Sequence, residues 1–336
     1  MASPSLTVLM PNYNHGAYIA EALESVASQT VPPDRILVAD DGSTDDSVTV
    51  LTGLQARIPY LEVIVNECNR GPVATCCDLI ARSDTECIYM MAADDKIRPG
   101  FFEATLDLLH RYPQAGLCSA LSGLIDADGE DVGMVDTPIV RRVPSYLSPT
   151  ELRDSLLRDG WFAAGNATVY RREALRSAGS LREELGPLCD GFAARVVALT
   201  HGACFAPRIL TEWRRLDTGY ATRYAADAER SAAIRERAVE LMRTEYSGLF
   251  PAAYIDRFEK EMRLDDALRR AVDRRDERQA RLATSRGPAR ALGALRDRTA
   301  PFEHGARVLW LRHRLGLPVL EPFRKSARRL IHRPIA

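Results

Sequence analysis

The first 121 residues alternate short apolar runs with longer segments in which apolar residues recur at helical spacing. The runs fall at 6–10 (LTVLM), 35–40 (RILVAD), 61–66 (LEVIVN), 86–92 (ECIYMMA) and 116–121 (GLCSAL), each of strand length and bounded by polar or glycine-containing turns. The segments between them predict helices over about 16–29, 44–56, 72–82 and 99–111. A β-α-β-α series of this kind predicts a mostly parallel sheet with helices on both faces. Ligands bind such sheets at the carboxyl ends of the strands, so functional residues are expected in the turns that follow them.

Beyond 121 the pattern loosens. An Asp-Gly turn at Asp128-Gly129 predicts a hairpin over 124–133, and Ser148-Pro149 opens a helix over 149–158 inside the less regular stretch 137–160. Trp161 to Asn166 leads into ATVYRREAL, a strand running into a helix; a helix over about 190–201 stops at His201-Gly202, and a strand follows at 204–213. From about 222 the period is helical throughout. The expected organisation is a domain over 1–216, made of halves 1–125 and 126–216, followed by a helical region over 217–336.

Composition narrows the classes. Of 336 residues, 46% are apolar and 27% charged, which is the balance of a globular protein, and no apolar run approaches the ~20 residues of a spanning helix. The N-terminus has neither a basic start nor a long apolar segment, so a cytoplasmic protein is expected. Seven cysteines, two of them adjacent at Cys76-Cys77 and none spaced C-x-x-C, argue against a disulfide framework and a zinc knuckle. Net charge is −1, and no nucleic-acid partner is expected. Charge is uneven, however: from Arg286 onward twelve basic residues face Asp297, Glu303 and Glu321, giving +9, against −10 for residues 1–285. This basic tail, 286–336, is read either as a peripheral contact with the anionic inner face of a membrane or as a solvated helical face.

Three carboxylate sites stand at expected strand ends: Asp40-Asp41-Gly42-Ser43, Asp94-Asp95, and Asp190 at a helix start. Aspartate is common in turns and at helix N-caps, so one such site alone needs no further role. Two double-Asp turns at one sheet edge ask for more, because adjacent carboxylates repel unless a cation or hydrogen-bonding ligand sits between them. Oxygen ligands without paired His or Cys suit Mg²⁺ or Mn²⁺ carrying a diphosphate.

The ordered set VLMPNYNHGAYIAEALESVASQT, ILVADDGSTDDS, NRG and YMMAADDKIRPGFF resembles the family 2 glycosyltransferases of the GT-A fold over about residues 6–110, and more loosely to about 215. The resemblance implies a Rossmann-like α/β domain with a mostly parallel sheet, carrying here a C-terminal helical extension. It implies that 1–125 binds a nucleotide-diphospho-sugar, a UDP-sugar being favoured, and that 126–216 receives the acceptor. Pro11, Tyr13 and Asp41 would hold base and ribose with Asp40 in support, Asp94 the ribose, Asp95 the metal, and Asp190 would be the catalytic base. The family's first acid of the Asp-x-Asp-Asp turn is Ala92 here, and Thr75-Cys76-Cys77 replaces an Ala-Arg-Asn whose arginine helps hold the nucleotide; Arg70 is the nearest substitute.

Trp161, Asn166 and Arg214 lie at strand edges of the acceptor half and are candidates for a sugar or phosphate pocket. Trp213 is assigned to core packing, His201 to a helix C-terminus, and Cys189 to an inert thiol. The reading is an inverting glycosyltransferase of bacterial polysaccharide or glycan synthesis, with a glycan or lipid-linked acceptor and a homodimer as further expectations. Two other classes stay open: a nucleotidyltransferase, which would need a Gly-rich basic loop where PNYNHGAY stands, and a non-catalytic sugar-nucleotide or glycan-binding module, which would not need Asp190.

Overall fold

The computed structural model describes residues 3–261 apart from 136, 160, 162, 164, 217, 218, 221–223, 225 and 226. The basic tail 286–336, and with it the membrane and solvated-face readings, lies outside the described residues. The chain divides into two compact units, the first reaching Ala226 and taking back Glu240–Pro251, the second described over Asp227–Val239 and 252–261.

The predicted strands and helices form at the expected places: β1 (Leu6–Asn12), α1 (Gly16–Ala27), β2 (Arg35–Asp40), α2 (Ser47–Gln55), β3 (Leu61–Val65), α3 (Pro72–Arg82), β4 (Cys87–Met90), α4 (Phe101–Arg111) and β6 (Leu117–Ile125). Between β4 and α4 lies a two-residue strand, β5 (Lys96–Ile97), too short to leave a periodic signal. Helix α2 begins later than its pattern because Asp45 closes the preceding turn, accepting Gly16 N–H at 2.9 Å and Ser47 N–H at 3.0 Å. The second half adds β7 (Asp131–Met134), β8 (Ser145–Leu147), α5 (Pro149–Asp159), β9 (Thr168–Arg171), α6 (Arg172–Ser177), α7 (Cys189–His201) and β10 (Ala203–Arg214). A further helix, α8 (Ala228–Arg243), follows, and no described helix is long and apolar enough to cross a membrane.

All ten strands join one sheet, ordered β3-β2-β1-β4-β9-β6-β10-β5, with β7 on β6 and β8 on β10. Strands β3, β2, β1 and β4 are parallel; β9 then runs antiparallel to both β4 and β6, and β10 is parallel to β6. The sheet is thus mixed, where a mostly parallel one was expected. Strands β1–β4, β6 and β10 run one way, β9 runs the other way and joins these two parallel groups, and the short strands β5, β7 and β8 are also reversed because they return from turns directly onto β10 and β6. Side chains alternate between faces. Leu6, Val8, Met10, Ile36, Val38 and Tyr89 share a core with Ile19, Leu23, Leu51, Phe101 and Phe102 of α1, α2 and α4, while α3 covers the other face of β1 and β2. Tyr89 meets Phe101 and Phe102 edge-on, at centroid distances of 5.0 and 5.6 Å.

The C-terminus of α7 is a tight corner. Gly202 caps the helix at φ +77°, and a Cβ there would collide with the ring of Tyr146, whose hydroxyl donates to His201 O at 3.1 Å. Gly202→Ala therefore combines a positive φ with overpacking and is expected to cost about 2–4 kcal/mol of stability in urea denaturation. A change within ~0.5 kcal/mol of zero would mean that the ring yields freely.

Candidate active site

The carboxyl ends of β1, β2 and β4 converge, and their turns carry the first group of predicted residues. Asn12 and Asp40 face each other across β1 and β2. Asp40, fully buried, accepts from Asn12 Nδ2 at 2.6 Å, Ser43 Oγ at 2.7 Å and Ser43 N–H at 2.9 Å. Its carboxylate is spent on holding the turn. Asp41 points the other way: Oδ1 accepts from Asn66 Nδ2 at 2.9 Å, and Oδ2 accepts the backbone N–H of Arg70 at 3.0 Å and of Gly71 at 2.8 Å. Gly42 permits this, since at φ +75° its α-carbon leaves the backbone of Cys68 and Asn69 just beyond 3 Å from where a Cβ would stand. Pro11 and Tyr13 flank Asn12, the partner of Asp40, and both are half-buried. Arg70 reaches it only through its backbone, because its guanidinium is bound to Asp78.

The β4–β5 turn is the second group. Ala92, where the family has its first acid, is exposed, whereas Asp94 is half-buried and Asp95 is 2% exposed. Burial is the main cause that raises both carboxyl pKa values, and Asp94 beside it pushes Asp95 further up. His15, the N-cap residue of α1, opposes this at Asp94, its Nδ1 standing 3.8 Å from Asp94 Oδ2.

Arg214 accounts for the turn's shape. Its backbone N–H donates to Asp95 Oδ1 at 2.9 Å, its Nε to Asp94 O at 2.8 Å, and one terminal nitrogen to the carbonyls of Asp126 and Ala127 at 3.1 Å each. The other terminal nitrogen donates to Glu21 Oε2 at 2.6 Å, and the guanidinium lies 4.8 Å from the ring centre of Tyr18. At 3% exposed, with every guanidinium nitrogen engaged, Arg214 stands behind the site as its support. That differs from a pocket-lining role. Trp213, assigned to the core, is 42% exposed.

Asn166 joins this group from the acceptor half. Its side chain lies near Asp95, whose pKa it lowers, and donates to Ser122 Oγ at 3.1 Å, and its carbonyl accepts from Tyr89 Oη at 2.7 Å. The residue before it, Gly165, is packed so closely on Asp190 that a Cβ would collide with Asp190 Oδ2. Asp95 and Asp190 therefore lie near consecutive residues of one 3₁₀ turn, Gly165–Ala167, whose α-carbons are ~3.8 Å apart. Asp190 Oδ1 accepts Gly191 N–H at 2.6 Å, and among the described residues Oδ2 accepts no hydrogen bond. Arg195, a turn further along α7, donates to Gly191 O at 2.7 Å, stacks on Trp161 at 4.7 Å, and lowers the Asp190 pKa by its charge.

His201 is at the opposite end of α7, eleven residues from Asp190 or about 16 Å along the helix. Cys189 is buried, and its thiol is raised well above the ordinary range. Sequence reasoning missed His15, Glu21 and Arg195. His15 is signalled by its cap position, but Glu21 meets Arg214 across 193 residues and leaves no local pattern.

The model of the family described as Glycosyl transferase family 2 matches residues 7–179, and the chain belongs to this family. An uncharacterized glycosyltransferase of Nostoc sp. is 28% identical over 173 residues, which are 51% of this chain and 52% of that protein, so the chain spans about half the length of this curated relative. S. aureus TarS 1–349 in complex with UDP-GlcNAc aligns with a TM-score of 0.61 at 15% identity, covering 78% of this chain and 72% of that one. The mannosyltransferase PcManGT of Pyrobaculum calidifontis, solved with GDP-Man and Mn²⁺, aligns with a TM-score of 0.56 at 18% identity over 93% of this chain and 85% of its own. The fold is GT-A.

Burial raises the Asp190 pKa, so the folded protein holds this proton more tightly than the unfolded chain does. The group then favours the fold at low pH and opposes it once pH rises through the raised value. Asp190→Asn keeps an acceptor for Gly191 N–H and removes the buried charge. Its Tm is expected to exceed the wild type's at neutral pH, with the difference shrinking toward the ordinary Asp value of ~3.9. A Tm at or below wild type at neutral pH would show that the carboxylate supports the fold.

Proposed function

We propose that the chain is an inverting glycosyltransferase that moves a sugar from a nucleotide-diphospho-sugar to a hydroxyl acceptor in glycan synthesis. The observation that carries this reading is the Gly165–Asn166 step, against which a candidate base and a candidate metal-side carboxylate both lie. Asp190 Oδ2, without a partner among the described residues, takes the acceptor's proton as the hydroxyl attacks the anomeric carbon. Burial favours this role, because a carboxylate with a raised pKa is a stronger base. A single displacement, and hence inversion, is supported by the absence, among the described residues, of an activated nucleophile beside Asp190, the neighbouring Cys189 being a buried thiol.

The donor set fits Mg²⁺ or Mn²⁺. Asp94 and Asp95 offer only oxygen, sit side by side in a buried turn, and would lose mutual repulsion on binding a cation. Among the described residues no third acidic, His or Cys side chain completes the set, which suits a cation whose remaining ligands are donor phosphates and water. Asp95 would hold the ion, which when bound neutralises charge growing on the departing diphosphate. The preference for a UDP-sugar is supported at Asp41. An ionised carboxylate has about four acceptor positions. Three of them are filled by Asn66, Arg70 and Gly71, which leaves one on Oδ1 for a single N–H such as that of uracil.

Calorimetry with a panel of UDP-sugars and Mn²⁺, followed by UDP release, tests the assignment. Asp95→Ala should lose Mn²⁺-dependent binding, whereas Asp190→Asn should bind donor normally and transfer roughly 10²- to 10⁴-fold more slowly. Undiminished Mn²⁺-dependent binding by the first variant, or near-normal turnover by the second, would remove that residue from the mechanism.

A further inference from the structure

Four of the seven large apolar side chains that stand exposed among the described residues, Val132, Met134, Ile139 and Val143, fall within twelve consecutive residues. Scattered exposed apolar residues are ordinary, whereas a cluster of them marks an interaction surface.

The first half of this surface is β7. That strand pairs with β6 alone, and all four of its residues are exposed. Val132 is a bulge residue, because the register passes from Leu124–Gly133 to Ile125–Asp131 and gives it no partner on β6. An exposed edge strand of this kind is open to contact with another chain. The second half is the stretch that leads to β8. Arg141 ties it to α5 through Glu151 at 2.5 Å, while Arg142, between Ile139 and Val143, is left exposed.

Charge says which partner fits. Asp128, Glu130 and Asp131 lead into the first half, Arg142 lies in the second, and none of these four forms an ion pair among the described residues. A partner of a single sign, whether a basic segment or an anionic membrane, would be repelled by one of the halves. A second copy of this chain, turned about a two-fold axis, sets the acidic half of each against the basic half of the other and brings the apolar side chains together.

We infer that residues 128–134 and 139–143 form an isologous dimer interface. The inference does not depend on the sugar-transfer reading. Apolar contact supplies the affinity, since exposed ion pairs are weak and mainly fix register and partner choice. The hairpin at one end of the surface carries the Asp126 and Ala127 carbonyls that receive Arg214, so the interface adjoins the support of the Asp94-Asp95 turn.

Sedimentation velocity of the full-length chain between about 1 and 100 µM tests this, and the wild type should run as a dimer at the upper end. Val132→Asp and Ile139→Asp should each weaken the dimer roughly tenfold or more, because the two-fold axis places every introduced charge in the interface twice. Arg142→Glu should weaken it as well, and adding Glu130→Arg to that variant should bring the dimer constant back toward the wild type's. All of these positions are exposed, so melting temperatures should stay within about 2 °C of the wild type's and separate loss of the dimer from loss of the fold. A wild type of single-chain mass at ~100 µM, or a dimer that both aspartate variants leave unchanged, overturns the interface. A double variant no better than Arg142→Glu alone overturns the pairing of acidic with basic halves.

Discussion

Two carboxylates on consecutive residues of a buried turn repel each other, and the fold has to hold them in place nonetheless. The Arg214 side chain and backbone supply that constraint. Its position in β10 lets the backbone bind one carboxylate while the guanidinium binds the carbonyl beside the other. Its positive charge lowers the pKa of both, partly offsetting burial. The same group ties α1, the β6–β7 turn and β10 to one point. Losing one partner of a buried ion network leaves uncompensated charge, at a typical cost of ~3–5 kcal/mol, so this cluster is costly to alter piecemeal. Lys96 adds to it, reaching Glu21 at 2.9 Å and Glu212 at 3.6 Å.

The two double-aspartate turns divide labour differently. At Asp40-Asp41 adjacent residues diverge: one carboxylate is consumed within its own turn, and the other reaches across to the 66–71 loop. At Asp94-Asp95 neither residue has enough partners to offset its burial, and both pKa values rise. The first turn is thus a finished scaffold with one acceptor position to spare. The second gains from a cation. Similar sequences reach different chemistry through the hydrogen-bond donors that surround them.

Much of this was legible in the sequence, because hydrophobic period and turn composition are local. The strands, the helices of the first half and the placing of the aspartates at strand ends follow from them. Strand direction does not: β9 carries the same apolar pattern whether it runs parallel or antiparallel, and only its pairing with β4 and β6 reveals the reversal. The exchange of roles between Trp213 and Arg214 has a similar origin. Alternation says that neighbours face opposite sides but not which side is covered, and β10 shifts its register twice, between Ala206 and Ile209 and between Ile209 and Thr211. The first inserts two residues and keeps the phase while the second inserts one and inverts it, so an arginine lies inside and a tryptophan outside. The closeness of Asp95 to Asp190 could not be read from spacing, since Gly165 looks like an ordinary loop glycine until the fold packs it on a carboxylate.

That glycine also bears on positional tolerance. Where two reacting groups are carried on separate elements, small errors in each element add along the chain of contacts between them. Here Asp95 and Asp190 also come from separate elements, the β4–β5 turn and α7, but both lie against one 3₁₀ turn, so a displacement of that turn acts on both carboxylates at once.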